Sequence, residues 1–482
     1  MKIYNSALFA IVLALCVSCG TQQETFPVAK HNVIWDSPGV NSRGSMPVGN
    51  GDIGANVWVN PAGELYLLIS KTDAWNENGQ LLKIGRIKLN CRPALPVGHF
   101  RQELDLETGT VRITGKQDDG RTLSLSVWID ANHPVIHVEG ESSEPVQAGV
   151  LYDGWRSSPH VLKGGETSAA YGVTGGSSPV VTDADTLFTR ENGLLWCHHN
   201  TRSIWRETLE VQALQDYPDA DRDPLLHRTF GALVYGDGFV NSSPEALTMD
   251  KPDKRFRVSI AVSALLSNTV ADWETSLRQT AERVAAVPFD DRRAAHERYW
   301  KDVWLKNYIV VDSPDDSLAV AGISEGYQLQ RYMNICAGRG NMPIKFNGSI
   351  FTVDSTDEAH PFNPDYRNWG GCYWFQNTRL PYWTMLHSGD FDLMKPLFRM
   401  YMDALPLARY RTVKYYGHAG CFFPETMYFW GTYNNDNYGW NREGKPDGLT
   451  DNRYIRYYWQ SGIELVAMML DYYEFTRDGT FL

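Results

Sequence analysis

Apolar and polar residues alternate with a period of two along much of the chain between residues 31 and 265. In residues 121–130 this alternation places four side chains on one face, as in a strand with one buried side: Leu123, Leu125, Val127 and Ile129. Residues 110–114 and 256–262 show the same pattern, and Asp-Gly or Asn-Gly turn signals separate such runs. Many short strands with this punctuation predict a large antiparallel β-sandwich over residues 31–265.

The spacing of apolar residues becomes helical near residue 270. Residues 273–287 and 290–304 are predicted to form helices, with Pro288 between them. Four further helices are predicted at 318–337, 371–388, 391–410 and 460–475. The expected order is therefore a β domain followed by α structure, divided into a β-sandwich (31–265), a helical linker (266–310) and a helical domain (311–482).

Composition and charge exclude several classes of protein. The 482 residues are 43% hydrophobic and 12% aromatic, which excludes a disordered chain and is enough material for two domains. A net charge of −12 argues against nucleic acid as a partner, because phosphate binding needs clustered cations. Nothing in the sequence indicates a cofactor, and the oligomeric state is left open.

The cysteines favour neither a metal site nor a disulfide framework. Five of the seven lie beyond residue 20, widely spaced and never as CxxC: Cys91, Cys197, Cys336, Cys372 and Cys421. Cys197-His198-His199 offers metal-binding residue types, but successive residues of a strand point to opposite faces. We therefore expect no metal site, and buried cysteines that act as small apolar residues.

Residues 1–20 (MKIYNSALFAIVLALCVSCG) have the features of a targeting segment. Lys2 precedes an apolar run, residues 7–17, that is too short to span a bilayer comfortably. Small residues then precede Cys19, and this end of the segment resembles the lipobox of bacterial lipoproteins. We therefore expect a lipoprotein signal peptide at 1–19 and lipidation at Cys19, with a plain cleaved signal or a retained anchor as the alternative. The expected location is the bacterial cell envelope, as an outer-membrane lipoprotein held by its acyl chains alone.

Aromatic residues concentrate in the second half of the chain. Between Tyr366 and Trp459 there are 25 Tyr, Trp and Phe residues in 94 positions, interleaved with acids and amides. Tyr and Trp need a polar outlet when they are buried, and sugars present both apolar faces and hydroxyl edges. The pattern favours a saccharide cleft, with aromatic filling of a helical core as the other interpretation.

Six short motifs resemble, in the same order, those of family-95 glycoside hydrolases, the α-L-fucosidase family. They are Met46–Ala55 (MPVGNGDIGA), Leu67–Trp75 (LLISKTDAW), Tyr327–Gly348, Asn377–Trp383 (NTRLPYW), Gly420–Gly431 and Asp471–Asp478 (DYYEFTRD). The segments NGDIGANVWV, SKTDAWNENG and KFNGSIFT resemble lipoproteins of domain-of-unknown-function family 5703 more closely than they resemble family 95. The resemblance implies the fold of the six-hairpin glycosidase superfamily, which is a β-supersandwich followed by an (α/α)6 toroid.

The resemblance also implies roles for individual residues. In family 95 two Asn residues of an N-x-N motif help to activate water; the second aligns with Asn377, whereas the first falls on Phe375. Arg379 replaces the family's Gln and is expected either to reach a hydroxyl or an acidic sugar, or to form a structural salt bridge. Further substrate-binding residues are expected in the same motifs and in the acid- and aromatic-rich segments: Trp383, Trp430, Asn347 and Asp354.

Glu425 is the candidate catalytic residue, as it takes the position of the second His of the family's H-H pair. A carboxyl group among Phe422, Phe423, Tyr428 and Phe429 should have a raised pKa through desolvation, which suits a general acid. The rival interpretation is a helix N-terminal acid after Pro424, whose pKa the helix dipole would lower.

The resemblance places the family's catalytic carboxylates after the motif at Asp471–Asp478. A twelve-helix toroid commonly needs about 350 residues, and Asp290 to Leu482 provides 193. We therefore expect an incomplete toroid and a C-terminally truncated protein. The function expected is that of a glycoside hydrolase acting on poly- or oligosaccharides. A non-catalytic glycan-binding surface lipoprotein and a polysaccharide lyase are the alternatives, and neither the sugar nor the linkage is fixed.

Overall fold

The computed structural model describes residues 28–311, 313, 317–355 and 362–482, with the backbone alone for 317–319. The predicted signal peptide and Cys19 lie outside the described residues. Within those ranges the chain is an antiparallel β region followed by helices, as the sequence predicts. In the part of the chain that is described, no helix is long and apolar enough to cross a membrane.

Fifteen strands of the described β region form one antiparallel sheet, and β10 and β11 form a separate pair. In chain order the strands are β1 (Val33–Trp35), β2 (Met46–Gly49), β3 (Ile53–Val59), β4 (Leu65–Trp75), β5 (Leu81–Arg92), β6 (His99–Asp105), β7 (Thr110–Lys116), β8 (Thr122–Ile129), β9 (Val135–Tyr152), β10 (His160–Val161), β11 (Val181–Thr182), β12 (Thr186–Arg190), β13 (Gly193–His199), β14 (Arg228–Tyr235), β15 (Phe239–Ser243), β16 (Ala246–Met249) and β17 (Asp253–Leu266).

Strand β9 joins the two branches of the sheet. Its first half, from Ile136 to Ser142, pairs with β8, and β17 lies on its other side. Its second half, from Gln147 to Tyr152, pairs with β5, which continues through β4 and β3 to β2. Alternate residues of β8 are buried, since Leu123 and Val127 are fully enclosed while the Ser residues between them are half-buried. The alternation in the sequence therefore marks the strands correctly.

The helices of the described residues follow the sheet, except for a short one within it. They are α1 (Trp205–Val211), α2 (Val270–Ala285), α3 (Phe289–Lys306), α4 (Ser317–Ala337), α5 (Phe375–Thr378), α6 (Leu380–Ser388), α7 (Lys395–Tyr416), α8 (Asn435–Tyr438) and α9 (Gln460–Thr476). The helix predicted at 371–388 is divided: Tyr373–Trp374 is a short strand, β18, which pairs with β19 (Thr426–Met427). Pairing with a distant segment thus overrides local helix propensity there. The incomplete (α/α)6 toroid remains a prediction.

The first two family-like motifs lie where the sheet meets the helices. A Cβ on Gly49 would lie 2.3 Å from the carbonyl oxygen of Cys336 near the end of α4, so only glycine allows this approach. The backbone N–H of Gly51 donates to that same carbonyl at 3.0 Å. Lys71 is buried between Asp52 and Asp73, with Nζ to carboxylate distances of 2.9 and 2.6 Å. The two glycines of the first motif therefore hold the sheet against α4, and the Lys71 ion pairs join the first motif to the second.

A second buried ion network ties the strands to the segment before α5. His198 lies between Glu77 and Asp185, with nitrogen to oxygen distances of 2.9 and 3.0 Å. Arg156 continues the chain of contacts from Asp185 to Asp365, at 2.9 and 2.7 Å. We call these five residues the His198 network. Each of them is buried or nearly so, and each charge has an opposite partner.

One face of α9 is apolar and exposed. Ile463, Val466 and Leu470 recur at helical spacing and are 75, 54 and 50% exposed. Beside Ile463 and Val466 lies an open, mainly apolar concavity of about 660 Å³, which Phe423 and Trp459 also line. The opposite face of α9 packs against α6.

Candidate active site

The pairing of β18 with β19 positions Glu425. Trp374 lies opposite Thr426, and the next residue, Phe375, donates its backbone N–H to the carbonyl oxygen of Glu425 at 2.9 Å. The N–H of Gln376 then donates to Oε1 of Glu425 at 3.1 Å. The two-strand ladder therefore brings Glu425 to the first turn of α5, although the segments are about fifty residues apart in sequence.

The carboxyl group of Glu425 is buried and only half satisfied. The residue is 4% exposed, and among the described residues its Oε2 has no hydrogen-bond partner. Burial raises the pKa of Glu425 to about 7, and the hydrogen bond from Gln376 opposes this only in part. The direction agrees with the desolvation expected from the neighbouring aromatic residues. Glu425 precedes β19 and does not lie at a helix N-terminus.

A second carboxylate, that of Glu464 on α9, lies in the same neighbourhood. Its Oε1 accepts hydrogen bonds from Nη1 of Arg379 and Nε1 of Trp383, both at 2.9 Å. Its Oε2 accepts a hydrogen bond from Gln460 at 3.0 Å. Unlike the carboxyl of Glu425, this group has three hydrogen-bond donors, one of them a cation, to stabilise its charge.

Tyr458 lies within electrostatic range of both carboxyl groups. Burial raises the pKa of its phenol, and the charges of Glu425 and Glu464 raise it further, whereas Arg379 lowers it. The Glu425 charge also raises the pKa of Tyr401, after the larger effect of burial. The structure thus brings together Glu425, Arg379 and Trp383, three of the residues predicted from sequence, with Tyr458 and Glu464, which were not predicted.

Asn377 lies at the edge of this group. It is in α5, one residue after Gln376, and it is exposed. Arg379 forms the salt bridge that was one of its two expected roles, since Glu464 takes its Nη1. Its Nε is buried and without a partner among the described residues. The roles of these residues in binding or catalysis remain predictions.

Trp430 and Asp354 lie in other surroundings. Trp430 is 8% exposed, stacks on Tyr428 at 4.4 Å between ring centroids, and donates from Nε1 to Thr432 at 2.6 Å. Asp354 accepts a hydrogen bond from Ser42 at 2.6 Å and lies 3.7 Å from Arg86. Contacts with the β region hold Asp354, so no described contact brings either residue to Glu425.

Asn347 lies in a further group, around an exposed tryptophan. Its Nδ2 donates to the carbonyl oxygens of Asn368 and Trp369 at 2.7 and 3.2 Å. The neighbouring Lys345 is buried beneath the ring of Tyr373 at 4.7 Å, and burial lowers its pKa to about 7. Asn347 therefore holds the loop that contains Asn368 and Trp369. This loop leads into β18, which begins at Tyr373.

The histidine pair has the geometry expected of adjacent strand residues. His198 contacts Glu77 and Asp185, whereas Nδ1 of His199 lies 2.7 Å from the hydroxyl of Thr229. Within the described ranges there is no group of three or more His, Cys, Asp and Glu side chains suited to a metal ion.

Glu464 could not be singled out in the sequence, because its partners lie 85 and 81 residues away. Its one local signal is the spacing from Gln460 to Glu464, four residues along a helix. The partly buried side chain of Arg379 favours an acidic partner, but the sequence does not indicate which of the later acids provides it.

Comparison with solved structures supports the fold. A structure assigned as a kojibiose phosphorylase, from the human microbiome, is 11% identical with a TM-score of 0.52 and covers 95% of this chain. The chain spans 57% of the length of that protein. A bacterial glucoamylase in complex with acarbose is 9% identical, with a TM-score of 0.37. The match covers 92% of this chain and 61% of the glucoamylase chain. The first likeness shows a shared fold, and the second is too distant to add to it.

Comparison of the sequence with known families assigns the chain directly. No curated protein matches it. The model of one family, described as a domain of unknown function (DUF5703), matches residues 34–309, which is more than half of the chain. The two solved structures are not fucosidases, so the likeness to family 95 still depends on the motifs alone. The chain therefore belongs to the DUF5703 family.

Proposed function

We propose that this chain belongs to a glycosidase-like protein that cleaves O-glycosidic bonds in oligo- or polysaccharides. The observation that carries the proposal is the carboxyl group of Glu425, buried, with Oε2 unpaired among the described residues and a pKa near 7. A general acid needs its proton at working pH, and a carboxyl in this environment retains it. The fold shared with a protein assigned as a kojibiose phosphorylase supports the proposal.

The two carboxyl groups suit different roles. Glycoside hydrolysis needs one acid to protonate the leaving oxygen, and one carboxylate to activate water or to attack the sugar. Glu425 is the acid, donating the proton carried on Oε2. Glu464 is the carboxylate, because Arg379 and Trp383 stabilise its negative charge and hold it in place. The separation of the two groups around the bound sugar would decide between inversion and retention.

Replacement of the proposed acid tests the function. Glu425→Gln keeps the shape of the side chain and removes its proton, so release of reducing sugar from a panel of glycans should fall by about 100-fold or more. In the parent protein the rate should fall as the pH rises through about 7, because the acid deprotonates. The matched control is Glu474→Gln, which changes an exposed Glu of α9, the helix that also contains Glu464, and should keep the parent rate. An unchanged rate for Glu425→Gln would contradict the proposal.

A non-catalytic glycan-binding protein is the second candidate. Tyr457 and Trp459 flank Tyr458 and are 74 and 52% exposed, an arrangement that suits sugar rings without requiring chemistry. Saturable glycan binding without release of sugar by the parent protein would favour it. Unsaturated, ultraviolet-absorbing products would instead identify a polysaccharide lyase.

We also propose that residues 1–19 direct the chain to the bacterial envelope and that Cys19 carries a lipid anchor. The support is the sequence of the segment alone: a charged start, an apolar run and small residues before Cys19. The parent protein should partition into the detergent phase, and Cys19→Ser should move it to the aqueous phase. Equal partitioning of the two proteins would contradict lipidation.

A further inference from the structure

Helix α3, which connects the β region to the later helices, fits closely against the sheet. Trp300 lies over Gly109, where a Cβ would come within 2.2 Å of the indole ring, so only glycine leaves room for it. Nε1 of Trp304 donates to the carbonyl oxygen of Leu106 at 2.7 Å. Because both tryptophans are buried, α3 is packed directly on the turn between β6 and β7.

Two histidines lie in this contact, and both pack against Trp128 of β8. The ring centroid of His137, in β9, lies 4.5 Å from that of Trp128, and the ring centroid of His296, in α3, lies 4.7 Å from it. The two histidines are 1 and 0% exposed. The sheet and the helix therefore each contribute one titratable group to the same enclosed interface.

The hydrogen bonds of His137 require its neutral form. Its Nε2 lies 3.4 Å from Nη1 of Arg292, and a guanidinium can only donate, so Nε2 is the nitrogen without hydrogen. Nδ1 then carries the hydrogen and donates to the hydroxyl of Ser259 at 3.0 Å. A proton added to Nε2 would set two donors and two positive charges against each other inside the protein.

His296 lacks a hydrogen-bond acceptor for a second proton. Its Nε2 lies 2.7 Å from the carbonyl oxygen of Thr108, and a carbonyl only accepts, so Nε2 carries the first hydrogen. A second proton would enter at Nδ1, which is buried without a hydrogen-bond partner among the described residues. Burial lowers the pKa of His296 to about 3, although the backbone at Thr108 and Ile129 acts in the opposite direction.

The charged groups that face the two rings do not compensate a proton on either of them. Burial lowers the pKa of His137 to about 3, and neighbouring positive groups lower it further. The facing charged and titratable groups are Arg292, Arg293 and Glu297 of α3, Asp130 and His133 between β8 and β9, Glu139 of β9, Arg257 of β17 and Tyr235 of β14. Each of the three carboxylates already has a partner of its own, in Trp128, Arg293 or His133.

We propose that His137 and His296 form an acid-sensitive joint, which holds α3 on the sheet while both rings are neutral and releases it when they are protonated. The joint is independent of the proposed function. Helix α4 follows α3 in the chain, and near its end the carbonyl oxygen of Cys336 accepts from Gly51 of the first motif. Release of α3 would therefore loosen the attachment of the later helices to the sheet.

Acid acts on the joint by favouring the unfolded chain, in which both histidines ionise freely. Their folded-state pKa values of about 3 lie below the ordinary value of 6.5, so the stabilisation is complete above pH 6.5 and is lost as the pH falls towards 3. At pH 5, about 1.5 pH units below the ordinary pKa, each ring raises the unfolding equilibrium constant by about 30-fold. The two rings together raise it by about 1,000-fold.

Urea denaturation of the full chain at pH 8 and pH 5 tests the joint. Between these pH values the unfolding constant of the parent should rise by about 1,000-fold more than that of His137→Gln/His296→Gln, whose amides form hydrogen bonds but take up no proton. His99→Gln is the matched control, because the side chain of His99 is 65% exposed, and it should keep the response of the parent. A double variant that responds to pH as the parent does would overturn the proposal.

Hydrogen–deuterium exchange of the parent separates release of α3 from a general loss of stability, and it does not depend on the folding of any variant. After correction for the intrinsic effect of pH on exchange, residues 289–306 should exchange about 10-fold faster or more at pH 5 than at pH 8. The buried strands β3 and β4 should accelerate less. Equal acceleration of α3, β3 and β4, or no acceleration of α3, would show that the two histidines form no such joint.

Discussion

The His198 network and the Glu425 site both contain a buried titratable group whose pKa lies above its ordinary value, but the causes are opposite. Burial alone would lower the pKa of His198; the hydrogen bonds and charges of Asp185 and Glu77 outweigh it and raise the pKa to about 9. Burial raises the pKa of Glu425 to about 7, with no cation among its causes. In the His198 network, the neighbouring carboxylates stabilise the positive charge of the histidine. At Glu425 no cation is present to stabilise a negative charge, so the carboxyl group stays protonated up to a higher pH.

Under the proposed function, this difference separates a structural role for His198 from a chemical role for Glu425. In the His198 network every charge is matched: burial opposes ionisation of Asp185, yet Arg156 and His198 lower its pKa to about 2. Such a group gives up its proton only with a large loss of favourable interactions. The proton on Glu425 is retained by desolvation alone, so a change in the surroundings, such as a bound sugar, can release it. Proton transfer is therefore expected at Glu425 and not at His198.

The largest expected effect is the removal of the central cation of the network. His198→Ala removes the positive charge that lies between the buried carboxylates of Glu77 and Asp185. The free energy of unfolding should therefore fall by about 3–5 kcal/mol. The folded-state pKa lies above the unfolded value, so the stabilisation is complete below pH 6.5 and is lost as the pH rises through about 9. Urea denaturation at pH 6 and pH 10 should therefore show the larger difference from the parent at pH 6.

His160→Ala is the matched control for that measurement. His160 also pairs with a carboxylate, that of Glu166 at 3.0 Å, but its side chain is 54% exposed. Solvent screens such a pair, so the loss should be less than about 1 kcal/mol. A comparable loss for both histidines would mean that burial does not distinguish the network.

The second-largest expected effect is a gain in stability, on substitution of Glu425. The folded-state pKa of Glu425 lies above its ordinary value of 4.5, so ionising it destabilises the fold as the pH rises from about 4.5 to about 7. Glu425→Gln removes this cost and should raise the free energy of unfolding by roughly 3 kcal/mol at pH 8, at 1.36 kcal/mol per pKa unit, with little change at pH 4. Urea denaturation at the two pH values measures it, and a gain that is the same at both would contradict the cause.

Glu464→Gln should act in the other direction. It replaces a carboxylate that Arg379 and Trp383 contact, so stability at pH 8 should fall by about 1 kcal/mol. The two substitutions make the same chemical change in neighbouring side chains. Opposite signs would show that the environment, and not the loss of a carboxylate as such, decides the result.

The sequence predicts those features of the two regions that depend on residues close together in the chain. The opposite directions of His198 and His199 follow from their being adjacent residues of a strand. The raised pKa of Glu425 follows from the aromatic residues beside it in the chain. Both conclusions need only neighbouring residues, and for that reason they could be drawn before the fold was known.

The partners could not be predicted, because they are distant in the chain. Glu77 is 121 residues from His198, and Glu464 is 85 residues from Arg379. Trp430 illustrates the same limit: local aromatic density predicts a place for it in the cleft, and this stays a prediction, but the sequence does not indicate that its Nε1 bonds to Thr432 and its ring stacks on Tyr428. Density along the chain does not determine which way a side chain points.

The smallest expected effect is a difference in how readily a thiol reagent reaches two cysteines, one in each region. Cys197, next to His198, is 1% exposed, and burial raises the pKa of its thiol to about 12, whereas Cys421, four residues before Glu425, is exposed. A thiol reagent added to the folded protein should therefore react with Cys421 and spare Cys197, because the thiolate must be both formed and reachable. Cys421→Ser should lower the number of reactive thiols by one, and Cys197→Ser should leave it unchanged until denaturant is added. Rapid labelling of Cys197 in the folded state would show that the strand containing His198 opens to solvent, and would contradict the burial on which the comparison depends.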